Sequence, residues 1–129
     1  MYLRGRIFSV CVLCVVVAMA ACAAQRTATL PKRVRAYHEA CKWKEFSAAS
    51  AYAADIENFN EKVKNSETRI EINEYEVLSI TISENKTEAI VEVRRVYTIA
   101  PSVSVHTQVL EQKWKYDRER KDWFLVTPY

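Results

Sequence analysis

The chain has 129 residues, enough for one domain with an appended segment and too few for a multidomain enzyme. Half of its residues are apolar, including 17 of the first 21, so the remainder has the composition of an ordinary soluble domain. Arg4 and Arg6 supply two of the three units of formal positive charge. The nearly balanced rest lacks the basic excess of a nucleic-acid binder.

The first element is an address. A cationic stub, Arg4 and Arg6, precedes an uncharged run, Ile7 to Ala21, in which only Ser9 is polar. Fifteen residues fall short of the roughly 20 that a helix needs to cross a bilayer and suit the apolar region of a secretory signal peptide. The run ends in small residues before a thiol, and Met19-Ala20-Ala21-Cys22 resembles the lipobox of bacterial lipoproteins. The resemblance implies a signal peptide over residues 1–21, acylation (palmitate or a similar chain) at Cys22, and a membrane anchor in the cell envelope. Ala23, where an aspartate would retain the protein at the inner membrane, implies the periplasmic face of the outer membrane. The alternatives are an ordinary signal peptide cut near an Ala-x-Ala site and an uncleaved anchor. With Cys11 and Cys14 lost in the signal and Cys22 acylated, Cys41 has no partner for a disulfide and is expected as a buried thiol on a helix face.

Residues 23–32 (AAQRTATLPK) are small and polar, contain a proline, and predict a short tether. The folded domain is expected over residues 33–129. From Arg33 to about Asn65, Val34, Tyr37, Cys41, Ala48, Tyr52, Ile56, Phe59 and Val63 recur at helical spacing. They predict two or three helical pieces, with a break near Lys44 to Ser50 and Ser47 as a cap. The period then becomes two. Strands are expected over 68–83, 87–100 and 103–117, with a short closing strand over 123–126. A phase shift within 68–83, from Ile70 and Ile72 to Val77 or to Leu78, Ile80 and Ile82, and another between Val109 and Leu110 predict bulges and a strongly bent antiparallel sheet. No glycine follows Gly5, so the hairpins need longer loops built on type I turns.

Helices before strands make an α+β order. Three stretches, Ala36 to Ile56, Glu74 to Ile99 and Gln112 to Val126, resemble the nuclear transport factor 2-like (cystatin-like half-barrel) superfamily. That resemblance implies a cone of bent sheet around helices, a pocket at its mouth, and homodimerisation through the sheet's outer face. It also implies a range of activities, including isomerases and dehydratases that move a proton with a pocket acid or base.

Tyr37, His38, Tyr52, Asp55, Tyr75, Tyr97 and His106 are the side chains available for such a pocket, with Trp114 as a further lining residue. No pair among them has the spacing of a catalytic acid and base, so no catalytic residue is assigned. Two distant histidines and one thiol make no metal cluster, and no glycine loop cradles a phosphate, so no metal or cofactor is expected. Trp43, Trp114 and Trp123 are expected chiefly in the core. The basic run from Lys113 to Lys121 reads as a solvated hairpin, with anionic lipid or peptidoglycan as the functional alternative. Asn85-Lys86-Thr87 matches a glycosylation sequon that a bacterial lipoprotein would not use.

Together these features predict a lipid-anchored envelope protein that binds an envelope protein or a small apolar ligand, with no nucleic-acid partner. A small pocket enzyme (isomerase, dehydratase or hydrolase) is the alternative. The alternating stretches argue against a helical-repeat adaptor.

Overall fold

The computed structural model describes residues 2–65 and 69–129. Helix α1 (Tyr2–Lys42) is followed by the short α2 (Phe46–Ser50) and α3 (Ile56–Asn65). Four strands come next: β1 (Ile70–Ile82), β2 (Glu88–Ile99), β3 (Val105–Asp117) and β4 (Asp122–Thr127). They form one antiparallel sheet in sequence order. The α+β class is as expected, and the strand limits agree to within two residues, although the expected start of β1 at Thr68 lies outside the described residues.

The tether does not form as expected. Residues 23–32 are continuous helix, and Leu30 is completely buried. Pro31 removes one backbone hydrogen bond, a loss of about 3 kcal/mol in a free helix. Leu30 and Val34 flank it and are both buried, so tertiary packing carries the helix through. The apolar stripe of α1 therefore begins one turn earlier than its sequence suggests, and runs Leu30, Val34, Tyr37, Ala40.

The helix ends at a turn where Lys44 adopts a positive φ of 57°. Ser47 does not cap α2; Glu45 occupies that position and makes no side-chain capping bond. Asp55 caps α3, its Oδ1 accepting the backbone N–H of Asn58 at 3.1 Å. The segment between α2 and α3 lies along the free edge of β4, where Tyr52 O and Ala54 N bond the backbone of Leu125.

The phase shift expected in β1 is present and is one of two register shifts, between Ile72 and Glu74 and between Val77 and Ser79. Each moves the inward set by one residue, so Ile70 and Ile72 give way to Tyr75 and Val77, then to Ile80 and Ile82. The bulge expected between Val109 and Leu110 is absent. The β2–β3 register is continuous, and β3 keeps one parity, with Gln108, Leu110, Gln112, Trp114 and Tyr116 inward. Val105 and Val109 face outward, so β3 has apolar residues on both faces rather than a phase shift.

The strong bend fails for the same reason. The register shifts lie in β1 and at the β3–β4 pairing, the central pair keeps a continuous register, and the sheet is not strongly curled. The core fills the space between α1, α3 and the inner face, with Trp114, Trp123, Phe59, Leu125, Val91 and Val93 buried. Trp43 departs from the expected core placement; it is 65% exposed, and its indole N–H donates to Glu39 Oε1 at 2.7 Å.

Candidate functional site

The inward positions of β2 and β3 include polar residues near the middle of the sheet, with Arg95 following Val93 on β2 and Gln112 between Leu110 and Trp114 on β3. Helix α1 sets His38 opposite them. His38 Nε2 and Gln112 Oε1 are 2.9 Å apart, and Gln112 Nε2 donates to the Pro128 carbonyl at 3.2 Å. A carbonyl only accepts, which fixes the amide orientation and makes His38 Nε2 the protonated nitrogen. Arg95 is nearly buried beside them; its Nε donates to Gln108 Oε1 at 3.1 Å, and its guanidinium lies 5.2 Å from the Tyr97 ring.

Aromatic rings enclose the histidine. Tyr75 stacks on it at 5.5 Å and Tyr37 meets it edge-on at 5.0 Å, while Tyr37 also contacts Phe59 and Trp114. Tyr129 closes the far side against Phe59, its hydroxyl donating to Asp55 O at 3.2 Å. Burial pushes the His38 pKa down to about 4, opposed by the Gln112 bond and helped by the positive charge of Arg95. At neutral pH the ring is an uncharged donor, and its low basicity makes it a poor proton acceptor. On the rim, Glu39 accepts from Trp43 and from Tyr75, and these two bonds hold its carboxyl below the usual range. Burial and the Glu39 carboxylate raise the Tyr75 hydroxyl.

The space left among Tyr37, His38, Phe59, Arg95, Gln112 and Tyr129 is about 10 Å³. That is room for about one water molecule. The arrangement is a filled, hydrogen-bonded interior.

The sequence-predicted site residues do not all converge. Tyr37, Tyr75 and Trp114 join the aromatic cluster, though Trp114 is fully buried and its Nε1 has no hydrogen-bond partner. Tyr97 and His106 stack on each other at 5.4 Å, with His106 exposed. Tyr52 lies beside α1, its ring under the Arg33 guanidinium at 4.4 Å. Asp55 is occupied as a helix cap. Cys22 is exposed on α1, and Cys41 is half-buried against the core. Among the described residues no three His, Cys, Asp or Glu side chains gather into a metal site.

Sequence reasoning missed Arg95, Gln112, Glu39 and the C-terminal Pro128 and Tyr129 as members of this cluster. The usable signal was polar residues at inward positions of β2 and β3.

The chain matches no protein-family model, and no curated protein matches it. Among solved structures it is similar to the intermembrane-space region of the chloroplast protein ARC6. The two share 13% identity over 79% of this chain and 92% of that one, with a TM-score of 0.43.

Proposed function

We propose that this chain is a membrane-tethered, non-catalytic binding or assembly module of a bacterial cell envelope, lipid-anchored through Cys22 at the periplasmic face of the outer membrane. One observation carries the reading: α1 projects an exposed, wholly apolar stretch out of a domain whose own interior is filled. Val12, Leu13, Val15, Val16, Val17 and Met19 are all exposed, and a helix apolar on every side requires a non-aqueous surrounding. The small cavity at His38 supports a binding role better than the alternative of a small isomerase, dehydratase or hydrolase, whose substrate needs an open pocket. The order of helices before a four-stranded sheet supports reading the domain as an open, flattened relative of the nuclear transport factor 2-like half-barrel. The outward valines of β3 support association with a second copy or an envelope protein.

A second reading has its own observation. Helix α1 runs unbroken from Tyr2 to Lys42, and its stretch from Ile7 to Ala24, apolar but for Ser9, is 18 residues, about 27 Å. That length enters the range of a single span. Intact-mass analysis of protein extracted from membranes separates the two. The expected chain starts at an acylated Cys22; a chain retaining residues 1–21 with a free thiol at Cys22 overturns lipidation in favour of the span.

A further inference from the structure

The collar where α1 leaves the domain carries a concavity of about 650 Å³, formed by Cys22, Gln25 and Arg26 of α1 against Tyr116, Arg118 and Lys121 of the β3–β4 hairpin. Three cations line it, and no carboxylate does. Of the acids in the same hairpin, Asp117 pairs with Arg120 at 2.8 Å, Asp122 pairs with Arg33 at 3.2 Å, and the exposed Glu119 is not part of the lining. Arg26 is held in place. Its guanidinium lies 4.3 Å from the Tyr116 ring, its Nη1 donates to Lys86 O at 3.5 Å, and its carbonyl accepts the Trp123 indole N–H at 2.9 Å.

We propose that this collar binds the phosphate of an anionic phospholipid headgroup, an inference that rests on the tethering described above. Arginine offers a planar fork of donors suited to phosphate oxygens, and lysine supplies a compact charge. Depth selects the source of the phosphate. The apolar stretch ends at Ala24, and Arg26 lies two residues, about 3 Å, beyond it along the helix. Cys22 lies one turn the other way. A chain anchored by either a lipid on Cys22 or a span therefore brings the three cations to the headgroup layer, where each basic residue strengthens attachment roughly fivefold.

Lys121 and Lys86 stand in the two turns beside the collar with φ of 53° and 58°, a conformation that favours glycine. Lysines there keep their charge at a conformational cost.

The test uses the full chain purified from membranes and placed in nanodiscs of phosphatidylcholine, with or without phosphatidylglycerol. Phosphatidylglycerol is expected to slow amide hydrogen exchange at residues 83–87 and 118–121 at least fivefold, and salt is expected to reverse this. An Arg118→Gln/Lys121→Gly variant should enter the discs and unfold no earlier than the wild type, yet show no slowing. Equal exchange in both lipids, or slowing that persists in the variant, overturns the proposal. So does equal slowing when inorganic phosphate is added to phosphatidylcholine discs, which would assign the site to a soluble anion. A chain that does not enter discs removes the tethering and this site with it, whereas entry without a lipid effect removes the site alone.

Discussion

The two halves of α1 are one helix in two solvents. From Val12 to Cys22 it is apolar on every side and exposed, while from Leu30 to Ala40 it is apolar along one stripe and buried there against the sheet. The first half gains nothing from the domain, and the second gains its helicity from it, since Pro31 alone would break an unsupported helix. The change falls at Gln25 and Arg26, the first uninterrupted polar step after the apolar run. The largest expected effect tests that division. Leu30→Ala should lower the unfolding free energy by about 3 kcal/mol through lost burial and a residual cavity, read by denaturant titration. Val16→Ala should leave it within about 0.5 kcal/mol. Equal losses would mean that the first half packs on the domain and that the helix is one structural unit.

Within the buried half, His38 is a titratable ring set edge-on to Tyr37 and stacked on Tyr75. The folded state holds the His38 pKa near 4, below the ordinary value of 6.5, so the unfolded chain binds the extra proton first as pH falls. Stability from this group is complete above about pH 6.5 and is lost as pH falls toward 4. The full difference is about 3 kcal/mol. His38→Asn keeps a side-chain N–H for Gln112 and cannot protonate. Thermal unfolding of the wild type should therefore lose more midpoint between pH 7 and 4 than the variant does. Parallel curves would mean that His38 is reached by water.

Much of this architecture was legible before the structure, and the failures have physical causes. The phase change from Ile70 and Ile72 to Val77 was readable in β1 because Glu71, Glu74 and Glu76 on the outward face are charged, whereas the second was obscured by the exposed Leu78. In β3 the same logic misled. Val105 and Val109 lie on the outward face either side of Thr107 and opposite Thr98 and Arg94, and apolar residues on both faces imitate a phase shift. Pro31 misled through propensity, because the packing of Leu30 is invisible in a local window. Of the site, Tyr37 and Tyr75 were legible as inward aromatics. His38 joined Gln112 and Pro128 only through strand register and the return of the chain end, contacts 74 and 16 residues apart.

The turns offer a smaller and opposite effect. Lys44, Lys86 and Lys121 occupy left-handed conformations in a chain with no glycine after Gly5. Lys44→Gly lies away from the collar and should stabilise the fold by about 1 kcal/mol, less the extra freedom the unfolded chain acquires. The same gain at Lys121 would accompany the loss of a charge at the collar, so comparing the two separates fold from surface. A destabilising Lys44→Gly would mean that the Lys44–Glu71 pair, 3.7 Å apart, outweighs the backbone strain.

The smallest effect concerns the outer face of the sheet against the inner. Val109 is 57% exposed and lies opposite Arg94, whereas Val91 on the inner face is completely buried. Val109→Thr preserves the branched shape that suits a strand and replaces a methyl group with a hydroxyl in water. It should change stability by less than about 0.5 kcal/mol in the isolated chain. Val91→Thr should cost about 2 kcal/mol, because its hydroxyl would lie in the apolar core. If a second copy covers the outer sheet face, the Val109 variant loses more as protein concentration rises, since a dimer interface converts an exposed position into a buried one. A penalty at Val109 that grows with concentration therefore supports self-association through this face, and a small, constant one leaves the face to another partner.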